Sequence, residues 1–301
     1  MTSRQGPRRS FIVITAAKDE GQYLERTIVS MLQQTALPKL WVIVDDGSHD
    51  RTPQIAKEFA QKHDWIVAMA VHRGTDRRPG SSEIRAFYVG FNIVRNEEYD
   101  FLVKLDADLE FPPDYFEKLL DKFDQDPHLG IASGAYIEEH NGTKKDVRMP
   151  WYHAAGASKI IRRQCFFDIG GFPLSPGWDT ADEIKALVRG WSTKHFPEIR
   201  FHHLRPEGSA IGMLRTCVDH GRMYHACGGG AWILLLKAMH RLVFGRPPIS
   251  GGVALLLGYL RAAVSRQPRI VTKAEANSYR RMLTEQVTQR ITRKMFFWRP
   301  A

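Results

Sequence analysis

Over its first 130 residues the chain alternates short apolar runs with stretches in which apolar positions recur every three or four residues. Phe11 to Thr15 reads as a buried strand, and Glu20 to Gln34 as a helix with Leu24, Ile28, Met31 and Leu32 on one stripe. Pro38 breaks the chain before a second apolar strand, Leu40 to Val44, and Pro53 suits the first position of a helix over Gln54 to Lys62. Trp65 to Val71 predicts a third strand, Ser81 to Val94 a helix after an Arg-Pro-Gly turn, and Asp100 to Leu105 a fourth strand. Apolar strands separated by helices imply a mostly parallel sheet flanked by helices, an α/β class. From Gly130 to Phe201 the pattern changes to mixed strands, a Gly-rich turn and one helix near Glu183 to Arg189. Beyond Pro206 it becomes helical, interrupted by Gly228-Gly229-Gly230, Pro247-Pro248 and Gly251-Gly252. The expected organisation is a catalytic domain over residues 1–210 and a helical extension over 211–301.

Charge changes this picture in the last third. The 301 residues are 43% hydrophobic and 25% charged, an ordinary balance, but the net charge is +10. Nucleic acid, an anionic membrane surface or anionic substrates could each answer such an excess. The C-terminal cations, among them Arg241, Arg246, Arg261, Arg266, Arg269, Lys273, Arg280, Arg281, Arg290, Arg293 and Lys294, lie in no helix-turn-helix, RNA-binding or zinc-finger pattern. A membrane surface is therefore favoured over nucleic acid. Trp232, Leu235, Met239, Leu242 and Val243 alternate with Lys237, His240 and Arg241, which suits a helix lying in a membrane interface with its cations toward headgroups. The competing reading is a helix packed on the core with a basic outer face. No run reaches the roughly 18 apolar residues of a spanning helix. Three cysteines without Cys-x-x-Cys spacing indicate neither a disulfide framework nor a zinc site. With no secretory leader pattern, the expectation is a reduced, cytoplasmic protein at the inner face of the cell membrane.

Two strand ends carry carboxylates. Phe101 to Leu105 runs into Asp106-Ala107-Asp108, and Val42-Ile43-Val44 into Asp45-Asp46-Gly47-Ser48. Open α/β sheets bind ligands at the carboxyl ends of their strands. Asp106 and Asp108 suit a hard cation, Mg²⁺ or Mn²⁺, held together with substrate phosphates. Asp46 can accept hydrogen bonds from a base or ribose, although Asp and Gly also serve turns for purely structural reasons. Thr15 and Glu20 follow the first strand, so three strand ends carry acids or hydroxyls. In Phe201-His202-His203-Leu204-Arg205, a neutral His203 could be a third metal ligand, or Arg205 could stabilise a leaving diphosphate. Adjacent strand residues face opposite ways, so at most one of the two histidines faces the site. A surface pair at a strand end is the alternative.

Ile12 to Glu20, Val44 to Ser48 and Lys104 to Leu109, in that order and spacing, resemble the family 2 glycosyltransferases of GT-A fold. The resemblance spans residues 10–205, and Asp106 to Pro113 is similar to the dolichol phosphate mannose synthase branch. It implies a nucleotide-diphosphate sugar donor, a divalent metal and inversion at the anomeric carbon. By position it implies that Ala16, Lys18, Glu20, Val44 and Asp46 contact base and ribose, and that Asp106, Ala107 and Asp108 hold sugar, metal and diphosphate. Asp19 stands where the family usually has Asn, and either can brace the same turn. Ile169-Gly170-Gly171-Phe172 followed by Trp178-Asp179 resembles the family's Gly-Gly-Phe segment and its following acid, with Trp178 in place of the usual Glu and Gly190 at the family's helix-ending glycine. That register makes Asp179 the catalytic base, which the attack of an acceptor hydroxyl requires. Capping of the following helix is the alternative role, and Asp182 and Glu183 are rival bases one turn on, favoured instead as first-turn acids that suit the helix dipole. Arg205 with Glu207-Gly208-Ser209 is similar to an Arg-containing segment of the mannose synthases. His153 to Lys159 falls where the acceptor side forms. Arg73-Gly74 and Arg77 to Gly80 could lead a loop over the donor.

The function expected is inverting, metal-dependent sugar transfer from a nucleotide diphosphate to a hydroxyl of a glycan or lipid-linked acceptor. A polyprenol-phosphate sugar synthase, whose anionic acceptor needs no base, and a catalytically silent nucleotide-sugar-binding protein are the alternatives.

Overall fold

Seven residues from Phe11 to Ala17 form β1, and all but Ala16 are buried. A strand without a polar face must be covered on both sides, and two apolar layers cover it here. A computed structural model of the chain describes residues 9–71, 82–140, 142–147, 149–206, 212–244 and 247–296. Helix α1 (Leu24–Leu32) buries the predicted stripe of Leu24, Ile28 and Met31. β2 (Leu40–Asp45), α2 (Thr52–Ala60), β3 (Ile66–Ala70), α3 (Ser82–Val94) and β4 (Phe101–Leu105) follow, close to their expected positions. β1 pairs in parallel with β2 and with β4, and β2 in parallel with β3. α3 lies close on the sheet at Gly90, where a Cβ would come within 2.8 Å of Ile14 and 2.9 Å of Val44. Any larger residue there would push the helix away.

The second half makes the sheet mixed. The short β5 (Leu109–Glu110) leaves the Asp-x-Asp segment, and α4 (Tyr115–Gln125) packs Tyr115, Phe116, Leu119, Leu120 and Phe123 inward. That helix is absent from the expectation above, although its apolar positions recur at helical spacing. β6 (Leu129–His140), β7 (Thr143–Asp146), β8 (Ser158–Arg162), α5 (Arg163–Asp168), α6 (Trp178–Val188) and β9 (Ser192–His203) complete the domain. The order is β3-β2-β1-β4-β8-β6-β9-β5, with β7 on β6. β8 runs antiparallel to β4 and to β6, β5 antiparallel to β9, and β6 parallel to β9. The parallel character belongs to the first four strands and the β6–β9 pair. β8 enters from a loop rather than from a crossover helix, so it is free to reverse.

The chain divides into two compact units, residues 1–206 and residues 207–301. The second contains α7 (Met213–Ala226), α8 (Ala231–Phe244), α9 (Ser250–Val264) and α10 (Lys273–Phe296). Thr272 and Glu275 start α10 with a reciprocal capping box: each backbone N–H donates to the other's side chain, at 2.8 and 3.2 Å. α8 differs from its expected orientation. Its outward stripe is Trp232, Leu235, Met239 and Val243, while Leu242 packs beside Gly252 of α9. The Lys237 ammonium sits 4.7 Å from the Tyr224 ring of α7, and Arg241 lies 2.8 Å from Nδ1 of His220. These two cations turn to α7 because its rings attract them, instead of lining an outer face. Among the described residues no helix is long and apolar enough to cross a membrane.

Candidate active site

The carboxyl ends of β1, β2 and β4 open into a cleft of roughly 250 Å³, where the parallel half of an open sheet binds ligands. It is lined by Ala16, Ala17, Lys18 and Glu20 after β1, Asp46 after β2, Ser82 and Glu83 at the start of α3, Asp106, Ala107 and Asp108 after β4, and Arg205 after β9.

The first two loops brace each other. Asp19 takes a left-handed φ of 55°, a conformation that Asn and Asp tolerate best among non-glycine residues. Its carboxylate accepts the His49 N–H at 2.8 Å, and the Ser48 hydroxyl accepts the Asp19 N–H at 2.8 Å. Lys18 donates to the carbonyls of Asp46, at 3.1 Å, and Gly47, at 2.7 Å. The loop after β1, residues 18–23, is thus sewn to the turn after β2.

The Asp-x-Asp segment is held from beneath by Lys104, a fully buried strand residue whose ammonium pairs with both Asp106 and Glu83 and donates to Gly156 O at 3.0 Å. Burial opposes its charge, but those two carboxylates outweigh it and raise its pKa. Burial pushes the Asp106 carboxyl up to about 7, against the pull of Lys104. Asp108 goes the other way: burial raises it, but His203 and Arg205 hold it below its ordinary value.

β9 brings the remaining groups. The β5–β9 pairing sets Leu109 opposite His203, and the Leu204 N–H donates to Asp108 O at 2.8 Å. His203 Nε2 lies 3.6 Å from Asp108, and Nδ1 lies 3.2 Å from Glu138. Burial disfavours the imidazolium, yet these carboxylates raise its pKa to about 10. Arg205 pairs with Glu20 and, at 3.1 Å, with Asp108. Burial and Asp108 push Glu20 up to about 7 despite that arginine. Ligand atoms of Asp106, Asp108 and His203 lie within 4.8 Å of one another, a set that could hold a metal ion. His202 points elsewhere, 3.6 Å from Glu110, so one histidine of the pair meets Asp108.

Several expected site residues stand apart. Thr15 is buried and its hydroxyl accepts the Trp41 indole N–H at 2.9 Å, so its side chain does not line the cleft. Val44 is buried in the core, where an apolar strand residue belongs. Asp182 is fully buried and binds Lys159 through both oxygens at 3.0 Å. Glu183 is spent on the Ala154 N–H at 2.7 Å, on Lys159 and on His153 Nδ1 at 2.9 Å. Asp179 makes no cap, since Gly177 at φ 84° starts α6 without a side-chain cap. It lies in the first helical turn, one-third exposed, 4.0 Å from His153 Nε2, and it is not among the cleft-lining residues. It reaches the cleft only indirectly, since it lies against Gly156, whose carbonyl binds Lys104. Ser82, Glu83 and Lys104 were not foreseen. A lysine inside the apolar run Phe101 to Leu105 was the available signal, because a buried ammonium demands carboxylates. The residues Arg73 to Gly80 and Glu207 to Ser209 lie outside the described ones.

Residues 12–174 match the glycosyl transferase family 2 model. The chain is 28% identical over 122 residues to a poly-β-1,6-N-acetyl-D-glucosamine synthase of Staphylococcus epidermidis, 40% of this chain and 27% of that one. It is 34% identical over 108 residues to an undecaprenyl-phosphate 4-deoxy-4-formamido-L-arabinose transferase of Edwardsiella ictaluri, 35% of this chain and 29% of that one. The chain thus spans under a third of the length of either relative. Among solved structures it is similar to the mannosyltransferase PcManGT from Pyrobaculum calidifontis in complex with GDP-Man and Mn²⁺, with a TM-score of 0.53 and 17% identity over 96% of this chain and 82% of that one. Residues 1–349 of S. aureus TarS in complex with UDP-GlcNAc give a TM-score of 0.52 and 17% identity, over 85% and 73%. These two likenesses are likenesses of fold.

Proposed function

The chain belongs to glycosyl transferase family 2 and carries the GT-A fold, and on that premise we propose that it moves a glycosyl group from a nucleotide-diphosphate sugar to an acceptor, with inversion and with a divalent cation. The observation that carries this reading is the convergence of Asp106, Asp108 and Arg205 at one cleft, with His203 against Asp108. Two carboxylates and an imidazole are a donor set suited to Mn²⁺ or Mg²⁺ beside phosphate oxygens. Asp106, Asp108 and His203 would hold the ion, His203 through Nε2 once that atom has given up its proton, with Glu138 fixing the ring at Nδ1. When bound, the cation neutralises the charge that gathers on the departing diphosphate.

The chain's own groups do the rest. Asp46 and the Ala16 to Lys18 loop receive the nucleoside, and Lys18 keeps their two loops at a set spacing. Arg205, held by Glu20 and Asp108, presents donors already oriented toward a phosphate. For a hydroxyl acceptor, Asp179 takes the proton as the oxygen attacks.

A second reading, with a lipid phosphate as acceptor, is favoured by two observations. Asp179 is absent from the cleft lining, and one relative is named for an undecaprenyl-phosphate substrate. A phosphate oxygen attacks without losing a proton, so that reaction does not require Asp179.

Turnover of UDP-, GDP- and dTDP-sugars with Mn²⁺ or Mg²⁺, offered with glycan or polyprenyl phosphate acceptors, tests both readings. Metal-dependent transfer lost in Asp108→Asn supports the proposal, whereas nucleotide-sugar binding without turnover of any donor refutes it. Loss in Asp179→Ala with a hydroxyl acceptor selects the first reading, and full activity with polyprenyl phosphate the second.

A further inference from the structure

In the second unit α9 is packed with small residues inward and large ones outward. Its buried positions include Gly251, Gly252, Ala254, Gly258 and Ala262, with Leu255 the one large member. Gly258 and Gly221 let the backbones of α9 and α7 approach too closely for any Cβ at those positions. Val253, Leu257, Leu260 and Val264 form the opposite stripe and are exposed, Val264 by 83%. α8 exposes Trp232, Leu235, Met239 and Val243, and Phe244 and Ile249 flank the link to α9, exposed by 73% and 69%. Scattered single exposures are ordinary on a water-facing surface, but two full stripes on neighbouring helices are not. Small residues between helices with bulky ones outside is the packing expected where the surroundings are themselves apolar.

We propose that the outward face of the α8–α9 hairpin docks on an anionic lipid bilayer, placing its large apolar side chains among the lipids of one leaflet.

At about 1.5 Å per residue the two helices extend roughly 21–23 Å, short of the ~30 Å hydrocarbon core, so they lie in the interface rather than span it. Charge selects the occupant. Residues 220–274 hold eight Lys and Arg and no Asp or Glu. Exposed Arg261 flanks the α9 stripe, and exposed Arg266, Arg269 and Lys273 follow its last turn. A second copy of this face would meet it with the same sign, which opposes association. Nucleic acid binds chiefly through cations in the contact itself, whereas this face presents large apolar side chains with the cations at its flank. An anionic leaflet satisfies both the apolar stripes and the flanking cations. The proposal is independent of the sugar-transfer reading.

The test is sedimentation of the full chain with vesicles of phosphatidylglycerol and phosphatidylcholine, against vesicles of phosphatidylcholine alone. The expected result is at least about tenfold stronger partition onto the anionic vesicles, reduced by salt, and a loss of about tenfold or more in the Leu257→Asp, Leu260→Asp variant. No partition onto anionic vesicles, or equal partition of the variant, would overturn the idea. So would a lipid-free dimer that the same two changes dissociate, since a second copy would then cover the face. An environment-sensitive fluorophore on Val264→Cys keeps the question open to refutation if the double variant misfolds. The three native cysteines are buried, so the new thiol labels selectively. A blue shift with anionic vesicles supports insertion, and unchanged emission refutes it.

Discussion

The two units treat charge and bulk in opposite ways. Residues 1–206 carry 28 Lys and Arg against 29 Asp and Glu, while residues 207–301 carry 15 against 4, so the whole positive excess belongs to the second unit. In the first unit, charges go inside: Lys104 and Lys159 are buried, each shared between two carboxylates. Its largest side chains go inside too, Trp41, Tyr115 and Phe116 among them. In the second unit the inner face of α9 is glycine and alanine apart from Leu255, and Val253, Leu257, Leu260 and Val264 face out. The contrast teaches that burial follows the surroundings each surface is built for. One unit folds around an ionic site that must be dehydrated, and the other leaves an apolar face to be covered by something else.

The comparison breaks most visibly at the buried ion cluster. Lys159→Met should destabilise the first unit by about 3–5 kcal/mol, since it leaves Asp182 and Glu183 buried beside no ammonium. A denaturant titration measures it, and a loss under 1 kcal/mol would mean that the lysine is not what makes those acids tolerable. Next comes the site. Asp108→Asn should lower transfer by roughly 10²–10³-fold while circular dichroism stays unchanged, and wild-type turnover would remove Asp108 from the reaction.

A smaller effect lies in pH. Burial lowers the His153 pKa, but Glu183 and Asp179 outweigh burial and raise it above the ordinary value. Its contribution to stability is therefore complete below the unfolded value near 6.5 and fades as pH rises through the higher folded value. The melting temperature of the wild type should decline from about pH 6 to about pH 9 more steeply than that of His153→Asn. Parallel slopes would show that the imidazolium is not the group lost. The smallest change is expected on the outward face of α9. Leu257→Asp should alter stability by no more than about 0.5 kcal/mol, whereas Leu255→Asp on its inner face should cost several times that. Equal costs would erase the distinction between the two faces.

Much of the first unit was legible along the chain, because a buried parallel strand leaves an unbroken apolar run and the ends of β2 and β4 declare themselves by a carboxylate. Asp46, Asp106 and Asp108 were found that way. α4 is absent from the expectation although Tyr115, Phe116, Leu119, Leu120 and Phe123 keep helical spacing. Thr15 and Val44 lie outside the cleft lining, because the direction of a strand side chain depends on which layer covers it. The cation that binds Asp182, Lys159, comes from a distant strand, so the pairing cannot be read along the chain.

By itself the sequence determined the alternation of strands and helices, the family, the acidic strand ends and the basic last third, since each of these is written in residues that are neighbours along the chain. The tertiary structure decided which acids share a cleft and which are spent on buried lysines. It also decided that His203 rather than His202 meets Asp108, and that α9 turns its bulk outward. Those outcomes depend on pairing register and on which faces approach, and electrostatics and packing settle them only once distant segments have come together.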